Sequence, residues 1–395
     1  MEAPAMTTAP TEANAGRRWP DIYRRLGVRP VINGRGATTA VGGALMEPET
    51  LAAMADAAGA FVDVEELNAR VGEEIARLTG AEAGYVTSGS AAGMALAAAA
   101  CIAGADPERI QKLPDSDGWA NEIVVHRSHR LNYDQMFRLG GGRLVEIGIP
   151  SGTERWELER AIGERTAAVA WVDSRVVGPG ALPFAVVVEV AHAAGVPIVV
   201  DAASTLPPVD HLRTWIRQGA DLVIYSGGKG IRGPQDSGLL AGQADLIAAA
   251  RANGSPRAGI GRGMKVSKEA MAGLWVALRR FEQTDHVAER DRHLAEAHLI
   301  ADGLAGRDDA RCAIEADWND WPAPVVWLWP TAAAWEPAAV RDRLEALDPS
   351  IRLAAERDGL MISTHCLLVG DAEAIRDALV RELDRAAQID GGTRA

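Results

Sequence analysis

Cysteine is scarce and oddly counted: Cys101, Cys312 and Cys366 stand far apart along 395 residues. Three isolated thiols build neither a disulfide framework nor a cysteine metal knot, and each reads as a small buried hydrophobe. Positive charge is also in deficit. The formal net charge is -13, and the 41 Lys and Arg residues are scattered along helical patterns, with no basic arm. Such a surface repels nucleic acid and anionic membranes. Long apolar runs are missing as well. The first eighteen residues have neither the apolar core of a signal peptide nor the length of a membrane span, so the expectation is a flexible tail and a cytoplasmic protein.

What is present is an ordinary globular composition, 48% hydrophobic and 24% charged, in a chain long enough for a large domain and a smaller one. From Ala83 to Gly242 one rhythm repeats: a short β-rich run, a turn, a helical pattern. Strands are predicted at Ala83–Thr87, Glu122–His126, Arg143–Ile147, Ala167–Asp173, Pro197–Ala202, Asp221–Ser226 and Asp236–Ala241. Runs such as AAVAWVD and PIVVDA are apolar almost without interruption, as in strands buried on both faces, and they imply a mainly parallel seven-stranded sheet in an α/β domain. A long helical stretch from Lys268 to Leu304, broken near Thr284, leads to a smaller α+β pattern. Its strands are expected at Arg311–Ala316, Ala323–Pro330, Ile351–Ala355 and Leu360–His365. The expected division is a tail over 1–28, a large α/β domain over 29–265, and a connecting helix with a small C-terminal domain over 266–395.

The sharpest chemical signal is a pair. VVDAAS places Asp201 at the end of a buried strand, and YSGGKG places Lys229 in a glycine turn after the next one. Twenty-eight residues separate them, enough for one helix and a returning parallel strand, so both emerge at the same sheet edge. A lysine amine can hold pyridoxal 5′-phosphate (PLP) as a Schiff base. A carboxylate facing the pyridine nitrogen keeps that nitrogen protonated and the ring electron-accepting. Alone, each residue would be a turn cap or a surface lysine.

Other segments join the pair. TSGSAAGMALAAAACIAG (Thr87–Gly104) turns from a strand at Gly89 into a helix whose small first residues leave N–H groups open to phosphate, although a packed core helix has the same composition. VHRSHRLNYDQ offers two histidines, one of which could lie flat on the pyridine ring. His129 is the choice because it lies just past the strand, and a loop or capping histidine is the alternative. GIGRGMKVSKE offers Arg262 and Lys265 for phosphate or a substrate carboxylate, against a solvated helix start. The tryptophans Trp318, Trp321, Trp327, Trp329 and Trp335 read as core and apolar patch, or else as a wall over a substrate.

These segments resemble the fold-type I PLP enzymes, and within them the L-seryl-tRNA(Sec) selenium transferase-like group that includes D-glucosaminate-6-phosphate ammonia-lyase. The resemblance is carried by VINGRGATTAVGGALMEPE, LNARVGEEIARLTGAEAGYVTSGSAAGMALA, VDAASTLPP, SGGKGIRGPQDSGLLAG and GRGMKVSKE, in order from about residue 25 to 270. It implies that Lys229 carries the cofactor and Asp201 faces its ring nitrogen. It further implies that Gly89, Ser90, Ala91 and Ser226 hold its phosphate and that Arg262 lies near it. It also implies a homodimer or an assembly of dimers. The activity expected is a PLP-dependent lyase that eliminates from a small β-hydroxy amino acid or amino sugar acid, Lys229 removing the α-proton. An aldolase or a racemase/epimerase is the alternative. Selenium or sulfur transfer to a seryl substrate is third, since the acidic charge and the absence of a domain before Val31 argue against tRNA. A PLP-fold scaffold without catalysis is disfavoured because Lys229 and Asp201 are both present. No metal is expected.

Overall fold

The computed structural model describes residues 19–317, 322–331 and 334–393. The strands are β1 (Val31–Asn33), β2 (Ala83–Thr87), β3 (Glu122–His126), β4 (Arg143–Ile147), β5 (Thr166–Val172), β6 (Ile198–Asp201), β7 (Leu222–Ser226) and β8 (Gly238–Gly242), followed by β9 (Ala310–Glu315), β10 (Val325–Pro330), β11 (Ser350–Arg352), β12 (Ala354–Glu356) and β13 (Gly359–Ser363). They fall into two compact units. Ala44–Thr284 is one, and the described residues up to Gly43 together with those from Asp285 are the other.

The unit Ala44–Thr284 is built on one seven-stranded sheet, in the order β2-β8-β7-β6-β5-β3-β4. Its pairs are parallel except those of β8, which runs antiparallel between β2 and β7. Both faces are covered, which is why β5, β6 and β7 are apolar along most of their length. Val124, Val169, Val200, Val223 and Tyr225 belong to one core; Ile123, Val125, Ala168, Ala170, Val199 and Ile224 belong to the other. The second core includes the helix Gly89–Ala103, whose small side chains bring its backbone close to the sheet. A Cβ on Gly93 would stand 3.0 Å from Ile224 Cγ2. Between β6 and β7 lies the helix His211–Arg217, so Asp201 and the residues after Ser226 leave the sheet at the same edge.

The other unit holds a four-stranded antiparallel sheet, β12-β13-β10-β9, and a parallel pair, β1-β11. Two expectations change here. Residues 29–43 do not group with the large sheet, because β1 pairs with β11 more than 300 residues later, and the long helix Lys268–Gln283 belongs with the large sheet. The expected strand Ile351–Ala355 is two strands parted by Leu353, because the chain leaves its pairing with β1 and joins β13. Of the expected tail, the described part contains a short helix, Asp21–Arg25. Trp327 and Trp335 are buried, and Trp327 stacks on Trp329 at 5.5 Å between Arg357 and Arg311. Trp318 and Trp321 lie outside the described residues. No helix among the described residues is long and apolar enough to cross a membrane.

Candidate active site

Lys229 sits in a turn that only glycine can make. A Cβ on Gly227 would fall 2.1 Å from Ser237 Oγ, one on Gly228 would fall 2.4 Å from Gln235 Cα, and one on Gly230 would fall 2.2 Å from the carbonyl of Leu206. The turn is thus wedged between the loop that follows Asp201 and the segment RGPQDSG. Backbone bonds close it: Gly227 N–H donates to Ser237 O at 2.9 Å, and Arg232 N–H donates to Lys229 O at 2.9 Å. Arg232 adopts a left-handed backbone with φ of 55°, unusual for a residue with a side chain, and its guanidinium meets Glu47 at 3.0 Å.

Asp201 ends β6 and is buried. Burial raises its carboxyl above the usual carboxylate range, opposed by the N–H of Ala203 at 3.1 Å and by the charge of Lys229. Burial likewise lowers the Lys229 amine, opposed by Asp201. Each charge therefore supports the other in a site that penalises both. Desolvation wins for both groups, so the lysine reaches its neutral, nucleophilic form more readily than a surface lysine does.

The helix Gly89–Ala103 begins at the same edge. Its N-cap Ser88 makes no side-chain capping bond, and Gly89 has φ of 76°. Strand β8 ties this start to the lysine turn, because Gly238 pairs with Thr87 on one side and Ser226 on the other. A Cβ on Gly238 would lie 2.5 Å from Gly89 C and 2.8 Å from Ser90 N. The structure therefore brings Gly89, Ser90 and Ala91, with their helix start, to the same sheet edge as Ser226, on the opposite side of β8 and two strand spacings from the lysine segment.

His129 is buried in a short 3₁₀ turn, Arg127–His129, directly after β3. It accepts the Val172 N–H at 3.2 Å and meets Trp171 edge-on at 4.5 Å. Arg262 lies in the turn after Gly261, exposed, with its N–H bonded to Gly259 O. Lys265 is exposed too. Among the described residues, no hydrogen bond or ion pair joins either to Lys229. Sequence reasoning missed Asp173, which directly follows β5 beside Asp201 at the end of β6. Asp173 N–H donates to Asp201 O at 2.8 Å, and its carboxylate accepts Trp215 Nε1–H at 3.0 Å. The signal was available, since AAVAWVD ends in a carboxylate just as IVVD does. Ser237 is buried against Gly227. Among the described residues no cluster suits a metal ion.

A doubly covered sheet with a half-buried lysine after one strand and a buried aspartate at the end of its neighbour defines the class: this is the fold-type I architecture of PLP-dependent enzymes. A solved structure of D-glucosaminate-6-phosphate ammonia-lyase superposes with a TM-score of 0.80 and 34% identity, covering 93% of this chain and 99% of that one. The L-seryl-tRNA selenium transferase family model matches residues 31–303, more than half the chain, and the protein belongs to that family. Among its relatives, D-glucosaminate-6-phosphate ammonia lyase of Salmonella typhimurium is 42% identical over 292 residues, 72% of this chain and 77% of that protein. A Streptomyces 5'-C-glycyluridine monooxygenase-decarboxylase is 38% identical over 341 residues, 84% of this chain and 83% of that protein. The protein is an enzyme, and a lyase.

Proposed function

We propose that the protein is a PLP-dependent lyase that removes ammonia from a small β-hydroxy amino acid or an amino sugar acid, with Lys229 and Asp201 as its catalytic residues. The observation that carries the reading is the pairing of buried Asp201 at the end of β6 with half-buried Lys229 in a turn whose three glycines admit no side chain. These residues fit the cofactor. A lysine held toward its neutral form suits an imine, and a buried carboxyl suits a protonated ring nitrogen. An uncapped helix start beside Gly238 suits a phosphate. When bound, PLP supplies a carbonyl for amines and a ring that accepts electrons.

The chain's own groups do the rest. Gly89, Ser90, Ala91 and Ser226 bind the phosphate, His129 borders the ring, and Asp201 holds the proton on the ring nitrogen. Released from the cofactor, Lys229 takes the proton from the substrate α-carbon. Arg262 is proposed to meet the phosphate or a substrate anion across a homodimer, which accounts for its exposure in the single chain. With a net charge of -13, the partner is a small molecule and not tRNA, and the protein works in the cytoplasm.

Borohydride reduction of the yellow protein followed by peptide mapping tests the lysine; an adduct anywhere but Lys229 overturns the assignment. Incubation with D- and L-β-hydroxy amino acids and amino sugar acids, reading ammonia, 2-oxo acid and aldehyde, tests the reaction. Ammonia with oxo acid is expected. Aldehyde without ammonia would make the protein an aldolase.

A further inference from the structure

Strand β3 stops at His126, whereas its neighbour β5 runs on to Val172. Their last paired residues are Val125 and Ala170. Beyond that point the Val172 N–H has lost its ladder partner, and a buried amide needs another. The ring of His129 fills the place: Nδ1 accepts that N–H at 3.2 Å. An acceptor nitrogen carries its lone pair, so in the neutral ring the proton belongs to Nε2. Trp171 packs edge-on against the ring at 4.5 Å and restricts its rotation.

The surroundings oppose a second proton. His126 lies 5.4 Å away, fully buried, with neither ring nitrogen hydrogen-bonded among the described residues. Burial pulls each of these imidazoles down to about 4, and for His129 the charge of His126 adds to the effect. The neighbouring charges are engaged elsewhere. Arg127 pairs with Glu146, Arg130 pairs with Glu146 and Asp134, and Asp173 accepts from Trp215. Protonating Nδ1 would break the Val172 bond and bury an unpaired charge.

We infer that His129 is locked as the Nε2–H tautomer and serves the site as a fixed neutral hydrogen-bond donor, not as a proton carrier. The tautomer is a property of the chain alone; its use toward an oxygen of the cofactor or substrate rests on the lyase reading. This separates two roles that one histidine beside the ring would otherwise share. Proton movement falls to Lys229, and His129 supplies a donor that does not switch off with pH.

The full-length protein with ¹⁵N-labelled histidine, stripped of cofactor, tests the tautomer directly. The resonances lost in His129→Gln should report an unprotonated Nδ1 and a protonated Nε2, unchanged between about pH 5.5 and 9. An Nδ1–H pattern, or titration inside that window, overturns the inference and leaves the lyase reading untouched. If His129→Gln does not fold, His129→Asn gives the same assignment. In the loaded enzyme, His129→Gln keeps a donor and His129→Phe keeps only a ring face. The Phe variant should lose on the order of 10- to 100-fold more kcat/KM than the Gln variant. Both should keep the two limbs of the wild-type pH profile. Loss of a limb, or Phe outperforming Gln, would show that His129 carries a proton or acts only by stacking.

Discussion

Two buried aspartates, Asp201 and Asp221, mark opposite ends of neighbouring strands. Asp221 precedes β7 at one edge of the sheet, and its carboxylate is saturated. It receives Ile198 N–H at 2.7 Å, His192 Nε2–H at 3.0 Å and Gln243 Nε2–H at 2.5 Å. It thereby clamps the beginnings of β6 and β7 to the residue after β8. Asp201 ends β6 at the other edge and receives the Ala203 N–H at 3.1 Å, with Lys229 within electrostatic reach. Residue type and burial are the same; what differs is how many donors the chain supplies. A buried carboxylate saturated by its own chain is structural, whereas one left short of donors is kept for something that arrives.

The contrast predicts opposite phenotypes, and these are the largest effects expected. Asp201→Asn should fold with little change in Tm and lose several orders of magnitude in turnover, because the ring nitrogen loses the group that holds its proton. Asp221→Asn should destabilise the fold by roughly 2–4 kcal/mol, since it disturbs a buried, multiply bonded carboxylate. The activity of the Asp221→Asn protein that remains folded should stay near wild type. Denaturation curves and turnover of both variants decide the matter. Unchanged activity in Asp201→Asn would remove the functional half of the comparison.

A smaller effect separates glycines at the two kinds of place. Gly228→Ala or Gly230→Ala inserts a methyl within 2.4 Å of backbone atoms next to Lys229. Each should cost about 1–3 kcal/mol through overpacking and lower activity by displacing the lysine. Gly163→Ala, where nothing lies within 4 Å, should change stability by about 0.5 kcal/mol or less. Equal behaviour of the three variants would mean that the lysine turn is not sterically set.

How far the sequence was legible follows from which contacts are local. β6 and β7 were readable because IVVD and LVIYS are apolar on both faces. Asp201 and Lys229 were readable because polar residues stand out at the ends of such runs. The tie between the helix start at Gly89 and the lysine segment at Ser226 was not readable. It depends on Gly238 pairing with Thr87 and Ser226 at once, two contacts far apart in the chain. The partner of His129 was hidden for the same reason, because it is an N–H freed only when β3 ends before β5. The domain boundary failed through β1, whose three residues carry no mark of a partner at Ser350–Arg352. The tryptophans read first as core, and so Trp327 and Trp335 are placed: both are buried, and Trp335 donates its Nε1–H to Asp309 O in the core of its own unit.

The smallest effect concerns acid, and it falls on the site edge, where His126 and His129 are both buried at the end of β3. His126 and His129 titrate at about 4 in the folded protein, against roughly 6.5 for a free imidazole. Between those values the unfolded chain binds protons that the folded chain refuses. Stability is therefore fully present above about pH 6.5 and is lost as the pH falls toward 4. From about pH 7 to 5.5 the loss is on the order of 1 kcal/mol for each histidine. His126→Phe removes one of the two titrating groups and keeps an aromatic ring beside Trp171 and His129. Urea denaturation of wild type and variant at the two pH values isolates this share from that of the carboxylates, which both proteins possess. The variant should lose less stability on acidification by about that amount. An equal loss in both would mean that His126 is protonated or solvated in the native state, and the site edge would then be no drier than the edge that Asp221 clamps.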